Sequence, residues 1–319
     1  MIVARSLDEL TRDQSSVVTV GTFDGVHRGH REIIREVVAR ARNAAGRSVA
    51  ITFDPHPKEV VTSPKGPVSL LTTVAERIML LEVLGLDLLY IVRFTYAFSR
   101  LSSHEFYRRY VVHGTGVREV VVGFDHSFGR DREAGIDQLV HLGQEFGFSI
   151  SKVQQYTVDG EPVSSTKIRH ALLAGEAEKA ARMLGYPYAL EGIVVKGDGR
   201  GKTLGFPTAN IAPVARNKVI PARGVYLAGA RVGDRRYYGM LNIGVRPTVT
   251  DGVEQTIEVH LFDFAGSIYG EKLTLSFLRR LRGEMKFPSP DALSEQLARD
   301  REAARRFVGQ FEEEAKRTP

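Results

Sequence analysis

GTFDGVHRGH, residues 21–30, carries the clearest structural signal in the first half of the chain. An apolar run at residues 17–20 precedes it and is typical of a buried parallel strand, and residues 31–45 follow with apolar side chains at helical spacing. Its glycines allow a sharp turn and a close approach of the backbone to a ligand. A helix that begins after such a turn directs free N–H groups toward it. The pattern therefore predicts a strand–turn–helix corner that binds phosphate.

Two histidines lie at the end of this stretch. His27 and His30 are three residues apart, so in the first turn of a helix they share one face. Two imidazoles beside a phosphate can stabilise charge that develops on it. The alternative is a pair that only caps the helix or binds a stray metal ion. The Gly, Phe and Asp residues in front of the pair favour the first interpretation.

Length and composition restrict the class of protein. A chain of 319 residues exceeds what one core usually holds, which predicts two domains. The absence of cysteine excludes disulfides, thiolate metal sites and thiol nucleophiles. Charges occur within the first ten residues, and no run approaches about 18 uncharged apolar residues. We therefore expect neither a signal peptide nor a membrane span, and a cytoplasmic protein.

The formal net charge of +6 raises the question of a nucleic-acid partner. The basic residues are spread along the chain and mixed with acidic ones, as at residues 299–306, which is typical of a solvated surface. We see no basic helix and no aromatic sheet motif, so we expect no nucleic-acid partner. The positive excess suits small anionic ligands instead.

The first half alternates between two periodicities. Apolar runs predict strands at 17–20, 48–53, 88–92, 118–123 and 149–155. Helical spacing predicts helices at 31–45, 73–84, 102–112, 135–146 and 168–174. Strands that alternate with helices indicate βαβ units, hence an α/β fold with a doubly wound parallel sheet, Rossmann-like in architecture. Ligands of such sheets bind at the carboxyl ends of the strands.

Three further segments fall at that end of the sheet. Residues 54–57, Asp-Pro-His-Pro, form a stiff loop after the second strand, where Phe53 and His56 could flank a flat ring. Residues 123–130 follow the fourth strand with aromatic, acidic and basic side chains. Residues 164–169, Ser-Ser-Thr-Lys-Ile-Arg, lead into a helix, where hydroxyls can cap and basic side chains can reach phosphate. Taken singly, each is equally well explained by turn chemistry and capping.

The pattern changes near residues 175–184, which predicts domains at 1–184 and 185–319. Beyond that point strand-like runs are separated by turns; they lie at 190–195, 225–232, 237–243, 256–262 and 273–277. With no long helix between them, they predict a small antiparallel β-barrel. Helical spacing returns over residues 289–315 and predicts a C-terminal helix that packs on the barrel.

A second glycine-rich stretch, GDGRGKTLGFPTAN, spans residues 197–210. It is not a P-loop, because Lys196 stands where that motif needs glycine and no helix pattern follows. Backbone N–H groups of such a loop can still bind phosphates. Thr208 and Asn210, two apart on an extended segment, place two oxygen ligands on one side, which suits Mg²⁺. An ordinary hairpin connection is the alternative.

These motifs, in this order, resemble the bacterial bifunctional riboflavin kinase/FMN adenylyltransferase family, of RibF type. In the first half the resemblance rests on GTFDGVHRGH, DPHP, the 123–130 loop and SSTKIR. In the second half it rests on GRGKTLGFPTAN, PARGVY, NIGVRPT, EVHLFDFAGSIYG and FLRRLRGEMKF. The resemblance covers nearly the whole chain.

The resemblance implies roles for individual residues. For catalysis it implies His27, His30 and Arg169 in nucleotidyl transfer and Glu258 as the base of the kinase. Contacts to ATP or its phosphates are implied for Gly21, Phe23, Asp24, Gly29, Ser165, Thr166, Gly199, Gly201 and Lys202. Flavin contacts are implied for Phe53, Pro55, His56, Pro57, Asp125 and Phe128. Metal ligation by Thr208 and Asn210 completes the set.

The resemblance thus implies an enzyme that phosphorylates riboflavin to FMN with ATP and Mg²⁺ and adenylylates FMN to FAD, releasing pyrophosphate. Two alternatives remain: only one half is active, or the chain is a regulator that binds flavin or nucleotide without turnover. The complete set of motifs in both halves argues against the first alternative. The sequence leaves a homo-oligomer open.

Overall fold

The computed structural model describes residues 1–61, 68–124, 135–197, 199–247 and 253–317. It divides into two compact units, Met1–Ser165 and Thr166–Pro319. The domain boundary predicted from the sequence, between residues 184 and 185, lies later in the chain, and it stays a prediction about the two functional halves. None of the described helices is long and apolar enough to cross a membrane.

The first unit contains a six-stranded parallel sheet of order β1-β4-β3-β2-β5-β6. Its strands are β1 Ile2–Ala4, β2 Val17–Val20, β3 Ser48–Asp54, β4 Leu88–Arg93, β5 Glu119–Val122 and β6 Ser149–Lys152. The parallel α/β prediction is confirmed. The sequence did not predict β1, because three residues with an exposed Ile2 leave almost no periodic signal. The strand order reverses at β2, between β3 and β5, which is where ligands of such sheets bind.

Helices flank this sheet on both faces. Within the first unit the described helices of eight or more residues are α1 Arg28–Asn43, α3 Val74–Glu82, α6 Ile136–Phe146 and a π-helix at Tyr107–Thr115. Short helices are α2 Pro57–Val61, α4 Tyr96–Ser99 and α5 Ser103–Phe106, and a hairpin joins β7 Thr157–Val158 to β8 Glu161–Pro162. Side chains of β2 alternate between the two core clusters, with Val17 in one and Val18 in the other.

The helix predicted at residues 102–112 begins as expected and then changes type. Ser102 caps α5, and its hydroxyl and backbone exchange hydrogen bonds with Glu105 in a capping box. From Tyr107 the turns widen into the π-helix. Tyr107 is fully buried there, and burial raises its pKa.

The second unit is built around a closed antiparallel barrel of order β10-β13-β12-β11-β14-β9. Its strands are β9 Ala189–Val195, β10 Ala209–Pro213, β11 Gly224–Val232, β12 Arg235–Pro247, β13 Val253–Leu261 and β14 Lys272–Arg282. Its helices are α8 Ala177–Leu184, α9 Arg200–Thr203 and α10 Pro290–Arg317, and α7 Ser165–Ala174 begins at the last residue of the first unit. The barrel and the C-terminal helix are confirmed. β10 was not predicted as a strand, because Ile211 is its only large apolar residue.

Alternation along the strands separates the two faces of the barrel. Leu241 and Ile243 of β12 and Val259 of β13 are buried, as expected for side chains that point inward. The residues between them therefore face outward. Part of the outer face is covered by α10, whose Ala304 joins a buried cluster with residues of β11 and β12.

Candidate active sites

The corner at residues 21–30 is a tight turn buried at the end of β2. Phe23, Gly25 and Val26 have φ angles of 47°, 85° and 32°. Positive φ is strained for phenylalanine and valine, so burial must hold the turn: Phe23 is 2% exposed and Val26 is fully buried. Gly25 N donates to Thr72 Oγ1 at 2.8 Å. The Phe23 ring also lies against Gly21, where a Cβ would come within 3.1 Å of it.

The turn presents the two histidines as a stacked pair. Their ring centroids are 3.6 Å apart and the planes are inclined by 16°. His27 is the N-cap of α1, and its Nδ1 accepts a hydrogen bond from the His30 N–H at 3.3 Å. A neutral His27 therefore carries its proton on Nε2. The predicted placement on one face is confirmed, and α1 begins inside the motif rather than after it, so that Gly29 is its second residue.

His30 is held in its neutral form. Burial is the largest cause that lowers its pKa well below 6.5, and the charges of His27 and Arg77 lower it further. The Phe23 ring meets the His30 ring edge-on at 5.4 Å. His30 Nδ1 is inaccessible and has no hydrogen-bond partner among the residues that the structure describes.

Asp24 is 2% exposed, and its carboxylate is occupied by protein groups. It accepts hydrogen bonds from Leu71 N and Thr72 N, both at 3.0 Å, and its backbone carbonyl accepts from Ser165 Oγ at 2.8 Å. Asp24 thus fixes a neighbouring loop and the first residue of α7. The side chains of Asp24 and Phe23 are buried in the protein, which leaves their backbone for the predicted contacts to ATP.

The Asp-Pro-His-Pro segment forms a turn with a cis Asp54–Pro55 bond, and Pro57 begins α2. His56 is 6% exposed, and its Nδ1 accepts from Lys58 N at 3.2 Å. Phe53 packs against three other phenylalanines, at Phe94, Phe98 and Phe106. Pro55 is exposed. The structure therefore gives His56 a capping role, and a flavin contact from it stays a prediction. The predicted flavin residues Asp125 and Phe128 lie outside the described residues.

The Ser-Ser-Thr-Lys-Ile-Arg segment is the start of α7. Ser165 is its first residue, Thr166 is exposed and Arg169 is half-buried one position after the buried Ile168. The helix thus begins three residues earlier than its apolar spacing predicts, because the polar Ser165–Lys167 turn carries no apolar signal.

The second site lies on the outer face of the barrel. Thr208 Oγ1 donates to Glu258 Oε2 at 3.1 Å. Glu258 on β13 is directly opposite Asn210 on β10 and directly opposite Asn242 on β12. Residues directly opposite in an antiparallel pair have Cβ atoms about 5 Å apart. Thr208, Asn210, Glu258 and Asn242 therefore form one polar row across three strands.

The glycine-rich stretch before β10 packs closely against this row. A Cβ at Gly197 would come within 2.0 Å of Asn210 Nδ2, so any other residue there would require the Asn210 side chain to move. A Cβ at Gly201 would come within 2.3 Å of the Phe206 carbonyl, and that residue's N–H donates to the Gly201 carbonyl at 2.8 Å. Gly199 has a φ of 72° and precedes the single turn of α9, on which Lys202 is exposed.

Sequence reasoning did not single out two residues of these sites. Asn242 lay within the quoted NIGVRPT motif, where a polar residue faces outward between the inward Leu241 and Ile243. Arg77 occupies the apolar stripe of α3 between Val74 and Leu81, a spacing that could have drawn attention to it. Among the described residues no three His, Cys, Asp or Glu side chains are grouped to hold a metal ion.

Two family models match the chain in sequence order. The FAD synthetase model matches residues 9–167, and the riboflavin kinase model matches residues 184–308. The chain belongs to the family of bifunctional riboflavin kinases/FMN adenylyltransferases. Its function is that of the family: it phosphorylates riboflavin to FMN and adenylylates FMN to FAD.

Two relatives of this family, each described as a bifunctional riboflavin kinase/FMN adenylyltransferase, match over nearly their full lengths. The protein from Listeria monocytogenes is 38% identical over 306 residues, 96% of each chain. The protein from Escherichia coli K12 is 36% identical over 312 residues, 97% of this chain and 98% of that one.

A solved structure has the same fold along nearly the whole chain. It is described as a macrolide-efflux protein from Streptococcus pneumoniae, is 33% identical, and covers 95% of this chain and 98% of its own with a TM-score of 0.86. That description concerns the Streptococcus protein. For the present chain the similarity supports the fold.

Proposed function

We propose that His27, His30 and Arg169 carry out the adenylyl transfer. The observation that supports this is the stacked histidine pair at the N-terminus of α1, beside the strand where the sheet order reverses. A phosphate oxygen of FMN attacks the α-phosphorus of ATP, and pyrophosphate leaves. Imidazole N–H groups donate to the oxygens on which negative charge increases, and Arg169 holds phosphates.

The proposed donors follow from the same geometry. His27 Nδ1 is used as an acceptor by the backbone of α1, so Nε2–H is the donor that His27 has for a phosphate. Burial lowers the pKa of His30, which favours a neutral ring stacked on His27. Backbone groups of Gly21, Phe23, Asp24 and Gly29, with Ser165 and Thr166, complete the proposed ATP contacts.

For the kinase we propose Glu258 as the base. The supporting observation is the 3.1 Å contact between Glu258 Oε2 and Thr208 Oγ1. The 5′-hydroxyl of riboflavin attacks the γ-phosphorus of ATP, its proton passes to Glu258, and ADP leaves. The phosphates of ATP bind to backbone N–H groups of the stretch that contains Gly199 and Gly201 and to the exposed side chain of Lys202.

A divalent cation fits the residues of the kinase site. Thr208 supplies a hydroxyl oxygen and Asn210 an amide oxygen, and both are hard donors beside the Glu258 carboxylate. Mg²⁺ usually binds to only a few protein oxygens, because it retains several water ligands. We propose that these two residues hold Mg²⁺. When bound, the ion neutralises phosphate charge. Glu258 then has the separate task of holding the transferred proton.

We further propose that the functional halves meet between residues 184 and 185. A riboflavin kinase match that begins at residue 184, within one residue of this division, supports the proposal. The flavin contacts proposed for the first half are Phe53, Pro55, His56 and Pro57, with Asp125 and Phe128. We also propose that the protein is cytoplasmic and that its partners are small molecules and not nucleic acid. The proposal is compatible with a homo-oligomer.

One time course tests both halves. The protein is mixed with riboflavin, ATP and Mg²⁺, and the three flavins are separated by chromatography. We expect FMN to rise and then to be replaced by FAD. FMN that accumulates without FAD would contradict activity of the first half. FAD formed only from added FMN would contradict activity of the second half, and no turnover of either flavin would favour a regulator.

A further inference from the structure

Arg77 is a buried arginine beside the adenylyl-transfer corner. It lies on α3 and its side chain is 2% exposed. A buried cation is retained only where protein groups compensate it. The chain provides this compensation at the ends of two neighbouring strands of the sheet.

The Arg77 guanidinium links the turn that follows β2 to the last residues of β3. Its Nη1 donates to the Thr22 carbonyl and to Thr52 Oγ1, both at 2.9 Å, and to the Phe53 carbonyl at 3.3 Å. Thr52 Oγ1 itself donates to the Thr22 carbonyl at 3.1 Å. One nitrogen thus connects the turn at residues 21–30 to Thr52 and Phe53, which directly precede the Asp-Pro-His-Pro turn.

We propose that Arg77 is a positioning residue of the adenylyltransferase, which fixes the histidine turn against the Asp-Pro-His-Pro turn and places a permanent positive charge behind His30. The inference rests on the proposed role of His30 in this reaction. Arg77 does not touch the reacting atoms in this assignment, because its side chain is enclosed by protein.

The charged groups around this arginine support the second part of the proposal. Asp24, Asp54 and Glu59 attract the guanidinium. Around His30, burial lowers the pKa most, and His27 and Arg77 are the charged groups that lower it further. Arg77 Nε is buried and has no hydrogen-bond partner among the described residues, so the hydrogen bonds described above for the guanidinium are all made by Nη1.

The test compares Arg77→Met with Arg77→Lys in the full-length chain, with FMN adenylylation and riboflavin phosphorylation measured on the same preparation. Arg77→Met keeps the bulk and loses the charge and donors. We expect kcat for adenylylation to fall by about tenfold to a hundredfold, while riboflavin phosphorylation stays unchanged and reports that the second unit is intact. Urea unfolding of the same preparation reports whether the first unit is folded. Arg77→Lys keeps the charge and should recover part of the loss.

The pH profile separates positioning from a purely structural role. Without the charge at residue 77 the pKa of His30 rises, so the acidic limb of the adenylylation profile should move to higher pH in Arg77→Met and stay in place in Arg77→Lys. Arg35→Met is the matched control, because Arg35 is exposed on α1 and pairs only with Glu32 among the described contacts. It should change neither activity.

Two outcomes would contradict the proposal: unchanged adenylylation in Arg77→Met, or a loss of kcat with the same acidic limb in both variants. If Arg77→Met does not fold, Thr52→Val removes the hydroxyl that Arg77 contacts and should lower kcat in the same direction. Failure of the proposed function is distinguished by His30→Ala. If that variant still forms FAD at the normal rate, the role of His30 is wrong whatever Arg77 does.

Discussion

The imidazole rings of His27 and His30 are stacked with their centroids 3.6 Å apart, and the backbone N–H of His30 donates a hydrogen bond to His27 Nδ1. The orientation of the His27 ring therefore depends on the backbone of His30, and both residues are positioned by the first turn of α1. This mutual dependence makes the pair sensitive to substitution and gives the first prediction.

His30→Ala should reduce FMN adenylylation by about a hundredfold or more, since one donor to the transferring phosphate is lost and the His27 ring loses its stacking partner. Riboflavin phosphorylation should be unchanged. The measurement is chromatographic conversion of FMN to FAD and of riboflavin to FMN. His104→Ala is the control, since His104 lies on α5, is half-exposed and pairs with Glu145 rather than with a residue of the motif. Loss of both activities in a folded protein would contradict separate sites.

Glu258→Gln should abolish riboflavin phosphorylation, with a loss of about a hundredfold or more, because the amide cannot accept the proton of the 5′-hydroxyl. FAD formation from added FMN should continue at the normal rate. Glu271→Gln is the matched control, as Glu271 is an exposed residue just before β14. Normal phosphorylation in Glu258→Gln would remove Glu258 as the base.

Gly197→Ala should impair riboflavin phosphorylation and leave FMN adenylylation unchanged. The added Cβ would lie 2.0 Å from Asn210 Nδ2, so the amide must move away from the proposed cation position. We expect a higher Mg²⁺ concentration for half-maximal phosphorylation, measured by titration with a fixed ATP concentration. Gly309→Ala is the control, since nothing lies within 4 Å of its Cβ. An unchanged Mg²⁺ titration in Gly197→Ala would argue against Asn210 as a ligand.

Asp300→Ala should lower the free energy of unfolding of the second unit by about 3 to 5 kcal/mol. Asp300 on α10 pairs with Arg282 Nε at 2.9 Å, with side chains 6% and 15% exposed, so removal leaves a mostly buried guanidinium uncompensated. Arg299→Ala on the same helix should have almost no effect, because Arg299 and Glu295 are 68% and 71% exposed. Urea unfolding compares the two variants, and equal losses would contradict this account.

Acid should weaken the first unit through His30. Because folding lowers the pKa of His30 well below 6.5, the unfolded chain binds this proton more readily. The stability due to neutral His30 is complete above pH 6.5 and is lost as the pH falls from 6.5 toward the folded pKa, by up to about 1.4 kcal/mol per pH unit. His30→Gln should show a smaller loss of unfolding free energy between about pH 7.5 and about pH 5.5 in urea titrations. An equal loss in both proteins would contradict the prediction.

Most of the fold could be predicted from periodicity. Four of the parallel strands, β2 to β5, and most of the barrel strands carry apolar runs or alternation, and Gly147 and Gly185 end their helices with left-handed φ, as expected for helix stops. The short β1 and β10 were missed, because burial of an extended segment by its neighbours leaves little trace in three to five residues.

The sites were predicted less completely. Motif residues such as His27 and Thr208 are visible because their chemistry is unusual for a turn. Arg77 is not, because its contacts are to backbone carbonyls from segments distant in sequence. The structural role of Asp24 could not be predicted either. A carboxylate beside a phosphate motif resembles a ligand contact in the sequence, whereas in the fold it accepts hydrogen bonds from the amides of Leu71 and Thr72.

The pairing of Glu258 with Asn210 and Asn242 limits which deletions in β13 the kinase site can tolerate. Successive residues of a strand point to opposite faces, so deletion of one residue within β13 would exchange Glu258 with an apolar neighbour such as Val259. Deletion of two would restore the parity of the faces. A deletion of odd length within β13 therefore reverses which side chains face the barrel interior, whereas a deletion of even length preserves the two faces.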